Sequence, residues 1–259
     1  MIGATINETR KGLIILWDYK FSVVIQLLGI FMILLGIMFF AGQGEITDEQ
    51  VASTLLGFII TFYAMETLSN MSWALMNEAQ SGTLEQMYMS PAPSQLIVLG
   101  RSFASIISAT IQLIIMLVVL IPLFGVRFNF TLDALVILAI TQIGLLGFGY
   151  VMGGLTLIFK QIGPLANIMQ NIVLITNGTF LPVTMMPTWM AFTVKLIPST
   201  LGIIALRQIV LDGMTLGDLI SDGTLLILTV HSVATFVIGW FGFSLCERIA
   251  RRQGSLGQY

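Results

Sequence analysis

Charge is what this chain has least of. Asp, Glu, Lys and Arg make up 9% of its 259 residues, against 56% hydrophobic residues. So few charges cannot coat a water-soluble domain, and a mean hydropathy of +0.96 points to a polytopic membrane protein. The formal net charge is −2, spread over short connections with no basic face, which excludes nucleic acid as a partner. Cysteine is nearly absent. A single Cys246, near the end of the last apolar segment, excludes an intramolecular disulfide and any Cys-based metal or redox centre, so it reads as a packing residue. The one histidine, His231, has no second His or Cys at ligand spacing and reads as structural. Also missing are G-x-x-x-x-G-K-[ST], G-x-S-x-G and H-E-x-x-H, hence any signature of ATP hydrolysis or of the familiar intramembrane hydrolases. The first 20 residues carry Glu8 and Asp18 and lack a compact basic region with a small-residue cleavage site, so no removable signal peptide is expected.

What the chain does have is long apolar segments. A helix needs about 20 apolar residues to cross about 30 Å of hydrocarbon, and six segments qualify: 21–41, 51–76, 94–121, 132–159, 164–186 and 223–246. No alternating strand pattern recurs, so the expected fold is an all-α membrane protein with six transmembrane helices rather than a β-barrel. With the N-terminus inside, Arg10, Lys11, Lys20, Arg101, Lys160, Arg248, Arg251 and Arg252 fall on the inner side, and Arg127, Lys195 and Arg207 on the outer. That is eight against three, which puts both termini in the cytoplasm. Ahead of the first span, Ile2, Ile6, Leu13, Leu16 and Trp17 share one helical face while Asn7, Glu8, Arg10 and Lys11 lie elsewhere. Residues 1–20 are therefore predicted to form an amphipathic helix along the inner membrane surface, with the transmembrane domain over 21–259.

Several features stand out along these segments. Between the fifth and sixth spans, residues 181–213 stay apolar but are broken by Pro182, Pro187 and Pro198 into pieces too short to cross. This predicts an outer re-entrant hairpin over about 187–212, its backbone covered by protein or water, with Trp189 as an interfacial anchor. The fourth span carries the Gly149 to Gly153 spacing of close helix packing. Asn177, Gly178 and Thr179 match a glycosylation sequon but fall inside a predicted span, out of reach of a transferase. Another is Glu66, an acidic residue well inside a span. An ionised carboxylate there costs about 2.5–3.5 kcal/mol and has to face protein or water. Asn70 and Trp73 follow it at helical spacing. The three form a polar stripe facing a dimer seam or substrate path, or else make a structural hydrogen bond between spans.

Residues 78–90 read EAQSGTLEQMYMS before Pro91, a polar break between the second and third spans. Gly82 and Thr83 can start or bend a short helix, Glu85 favours its first turn, and Met87, Tyr88 and Met89 supply an adaptable apolar surface. Pro91 stops it. In this segment Glu78, Gly82, Thr83, Glu85 and Pro91 resemble the membrane permease subunits of the type 2 ABC transporter family: an acidic residue, a Gly-Thr pair, a following glutamate and a closing Ser-Pro. Gln80 departs from that pattern, where relatives often carry a basic residue. A second region, Gly178, Phe180, Pro182, Pro187, Trp189, Pro198 and Arg207, resembles the family's run from the fifth span through the outer hairpin. With the N-terminal surface helix, the resemblance covers essentially the whole chain.

The resemblance implies a half-transporter in the cell inner (plasma) membrane. Two permease subunits, identical or not, would enclose a path among membrane lipids, each docked through the 78–90 coupling helix onto a separate ATPase subunit. ATP and Mg would belong to that partner, with no cofactor on this chain. The implied activity is export of an amphipathic or hydrophobic compound, with polysaccharide or glycolipid export as the alternative within the family. The rival of another class, a proton-coupled carrier or channel using Glu66, expects internal inverted repeats that the sequence does not display.

Overall fold

The structure is a computed structural model and describes residues 14, 18, 20–41, 47–82, 89, 94–126, 128, 130–159, 163–180 and 183–253. Apolar segments become helices because hydrocarbon offers nothing else to satisfy backbone N–H and C=O groups. Among the described residues there are nine α-helices and no strand. They are α1 (Lys20–Ala41), α2 (Asp48–Gln80), α3 (Ser94–Phe124), α4 (Leu132–Ile158), α5 (Gly163–Thr176), α6 (Thr188–Val194), α7 (Pro198–Val210), α8 (Leu216–Ser221) and α9 (Thr224–Gln253).

Four of them, α2, α3, α4 and α9, are long and apolar enough to cross a membrane. The pair α6 and α7, bent by 96° at a short break, adds a fifth if it is one span. Helix α1 follows the first expected segment over 22 residues. The fifth expected segment, 164–186, differs from expectation. Helix α5 stops at Thr176 after 14 residues, about 21 Å of rise and short of the hydrocarbon thickness. The cause is local: Gly178 takes φ +88°, and the Asn177 side chain accepts a hydrogen bond from the Thr179 N–H at 3.1 Å, an Asx turn that competes with helix. The surface helix predicted over 1–20 lies outside the described residues except for Ile14, Asp18 and Lys20, which are helical and exposed.

Helix α2 is the axis of the bundle. Of its most apolar stretch 78% is buried, against 28% in α3 and 17% in α9, and it packs on α3, α4, α5 and α7. Lipid tails are as apolar as leucine, so fit rather than water exclusion holds such helices together. Small residues supply that fit. Gly149 and Gly153 of α4 lie against Thr67, Met71 and Leu75 of α2, while Gly144, Gly147 and Gly154 lie against Ser232, Phe236 and Phe243 of α9. Both series climb together in sequence, so α2, α4 and α9 run parallel. At Gly239 an added Cβ would fall on the Gly147 carbonyl. Facing outward, Ile114, Val118 and Val119 on α3 and Leu226, Val230, Ile238 and Phe241 on α9 are exposed, an apolar coat suited to lipid.

Candidate functional site

Between α2 and α3 lies a cavity of about 380 Å³ whose walls include Tyr63, Glu66, Asn70, Trp73, Arg101 and Ser102. Glu66, Asn70 and Trp73 share its α2 wall because spacings of four and seven return to one helical face. Asn70 Nδ2 donates to Glu66 Oε2 at 2.9 Å, so the bond runs within α2, not between spans. Trp73 is 41% exposed. Glu66 also borders a second cavity of about 110 Å³, formed with Ile30 and Leu34 of α1, Phe58 and Phe62 of α2, and Gln170 of α5. There Gln170 Nε2 donates to Ser69 Oγ at 2.6 Å.

At one end of the bundle, Glu78 sits in the last turn of α2 rather than in a separate coupling element. Ser81 and Gly82 form the turn after it, Gly82 at φ +68°, a conformation that strains any residue with a Cβ. Glu78 Oε1 accepts from Arg101 Nη2 at 2.6 Å, joining α2 to α3. The start of α3 is held by α9: Ser94 Oγ and Gln95 Nε2 donate to Glu247 Oε2 at 2.7 and 3.2 Å. Arg251 Nε and Nη2 donate to the other carboxylate oxygen at 3.1 and 2.6 Å. Glu247 is buried. Sequence reasoning missed this residue, although the i,i+4 Glu–Arg spacing was a signal for it. Thr83, Glu85, Met87, Tyr88 and Pro91 lie outside the described residues. Their neighbour Met89 is helical and 85% exposed.

At the other end, Pro187 caps α6 and Pro198 opens α7, where a missing N–H costs no helical bond. Pro182 lies outside the described residues. Trp189 is 72% exposed. Arg207, in the last turn of α7, directs its guanidinium at backbone carbonyls. Nε and Nη2 reach the Ser53 oxygen at 3.1 and 3.0 Å, Nη1 the Gly178 oxygen at 2.9 Å, and Nη2 the Thr179 oxygen at 2.9 Å. Beneath it, Thr61 Oγ1 accepts from Asn177 Nδ2 at 2.6 Å and shares a hydrogen bond with Thr179 Oγ1. A Cβ at Gly57 would come within 2.9 Å of Thr179 Cα, so only glycine lets the 177–179 bend seat on α2. The sequon residues thus form a buried joint. Sequence showed Arg207 as an outer charge and as part of a family pattern but not its partners, since carbonyl acceptors leave no mark in a sequence.

In the exposed connection before α9, the Thr215 N–H and hydroxyl donate to Asp218 and hold its carboxyl below the usual carboxylate range. Among the described residues no group of three His, Cys, Asp or Glu gathers as a metal site.

A profile described as ABC-2 type transporter matches residues 9–211. Neither the curated proteins nor the solved structures give a match. The matched region takes in α1 to α7, hence both cavities, the Glu78–Arg101 pair and the Arg207 joint. On that match, and on its coat of apolar membrane-crossing helices, the chain belongs to the ABC-2 type transporter family as a multi-pass membrane permease.

Proposed function

We propose that the chain is the permease half of an ATP-driven exporter that moves an amphipathic or hydrophobic compound out of the cytoplasm or inner leaflet. A second permease subunit completes the path. A separate ATPase, carrying ATP and Mg, docks at the 81–93 connection, and both termini face the cytoplasm of a plasma-membrane protein. One observation carries this reading. The cavity of about 380 Å³ has an amphipathic wall, Tyr63, Met71 and Ile106 beside Asn70, Asn77 and Ser102, and it is also lined by Arg101, whose partner Glu78 lies in the last turn before that connection. A ligand with polar and apolar parts suits that lining, and a push on the connection reaches it through one ion pair. Differential contact of the ATP-closed and open motor with the connection supplies the bias.

Orientation is tested with single cysteines at Ser81 and Thr215, both exposed, in a Cys246→Ala background. An impermeant thiol reagent added outside is expected to label the Thr215 position and spare Ser81; labelling of Ser81 from outside would overturn the arrangement.

Coupling is tested by charge exchange. Glu78→Lys is expected to keep the spans folded yet lower substrate flux per ATP hydrolysed in vesicles holding the permease and its ATPase, and Glu78→Lys with Arg101→Glu to restore part of it. If purified permease alone moves substrate on a proton gradient, and both variants match wild type in that assay, a secondary carrier replaces this reading.

A further inference from the structure

The larger cavity holds an imbalance of charge. Glu66 and Arg101 are the acidic and basic side chains that line it. Arg101 is matched by Glu78 at 2.6 Å. Glu66 lies 12 residues before Glu78 on the same helix, about 18 Å away along the axis. The two ion pairs found among the described residues, Arg101–Glu78 and Arg251–Glu247, both leave it out. Its hydrogen-bond donor there is the neutral Asn70 carboxamide on Oε2, and Oε1 has no partner among the described residues. A carboxylate at membrane depth without a countercharge is costly and marks a functional group.

The surroundings suit a cation. Tyr63 stands one turn before Glu66 on the same wall and Trp73 two turns after it, and ring faces attract cations. Met71, Ile106 and Ala109 give an apolar body somewhere to lie. Glu66 borders the smaller cavity too, beside Phe58, Phe62 and Phe180, so the carboxylate is approached from two aromatic-bearing sides.

We infer that Glu66 recognises a positively charged head group, and that the substrate class is the amphipathic cation: one amine or quaternary ammonium on an apolar, preferably aromatic, body. This rests on the export reading of the same cavity. A neutral glycan would leave the carboxylate without a countercharge, and an anionic lipid would be repelled.

The test uses two probes with the same fluorescent aromatic tail, one ending in trimethylammonium and the other in the uncharged tert-butyl isostere. Purified full-length permease in phosphatidylcholine nanodiscs is expected to bind the cation about tenfold more tightly than the isostere, the scale of a desolvated cation–π contact with a countercharge. Glu66→Gln, which leaves Tyr63 and Trp73 in place, is expected to lose most of the preference, and Glu66→Asp to keep more of it. Equal affinity in the wild type, which needs no variant to fold, overturns the inference, as does a preference undiminished by Glu66→Gln. Flux with the ATPase partner separates the two readings. ATP-driven export of the isostere as fast as the cation would leave the export reading standing and remove this one. A cation preference without ATP-driven movement of either probe would keep the site and remove export.

Discussion

Arg207→Ala is expected to be strongly destabilising. The guanidinium makes four hydrogen bonds to three carbonyls from two separate parts of the chain, and two of those carbonyls follow the C-terminal end of α5, where the helix dipole favours a cation. Interhelical hydrogen bonds in a membrane average about 0.6 kcal/mol each, so four give about 2.4 kcal/mol. Bonds to a charged donor run higher, at about 1.5–3 kcal/mol each. Either scale is a large part of a stability of about 5–15 kcal/mol. Arg207→Lys keeps the charge but not the planar fork that spans several acceptors, and an intermediate loss is expected. Thermal unfolding of detergent-purified protein measures both; an Arg207→Ala variant melting with the wild type would show that the joint holds without its clamp.

Gly239→Ala is expected to be nearly as damaging, while Gly242→Ala, less than one turn away on the same helix, is expected to be neutral or stabilising. At Gly239 a Cβ falls on the Gly147 carbonyl, whereas nothing lies within 4 Å of one at Gly242. Backbone cannot rotate aside as a side chain can, so the first substitution has to push α4 and α9 apart. Overpacking of this kind costs about 1–3 kcal/mol or more, and Gly to Ala in an open helix position gains about 0.5–1 kcal/mol. The two variants compared in one melting series give the sign directly. Equal behaviour would mean that α4 and α9 are not in backbone contact at Gly239 and Gly147.

Much of this was legible in the sequence because membrane insertion imposes a coarse rule. Long apolar segments had to become helices, and α2, α3, α4 and α9 lie where hydropathy put them. The glycines of the fourth span announced close packing, and Pro187 and Pro198, read from the sequence as breaks, stand at the starts of α6 and α7. Less legible was whatever depends on a left-handed residue or a bare carbonyl. Hydropathy ran straight through Asn177 and Gly178, since an Asx turn with a positive φ hardly changes an averaged apolarity. Arg207 looked like an outer charge because its partners are backbone atoms of Ser53, Gly178 and Thr179, which any sequence possesses. Glu247 was lost for a different reason. Charges past the last apolar segment suggest a solvated tail, yet α9 continues to Gln253 and turns this carboxylate inward to Ser94 and Gln95.

The fastening of α3 at its first turn has a mechanical consequence. Helices α2 and α3 are pinned together by Glu78 and Arg101, and α3 is pinned to α9 by Ser94, Gln95 and Glu247. The described residues on either side of that connection, Gly82 and Ser94, are therefore anchored to one frame of three helices. Displacing either end without breaking the Glu78–Arg101 pair or the bonds to Glu247 moves α2, α3 and α9 together, and Glu66 rides on the first of them.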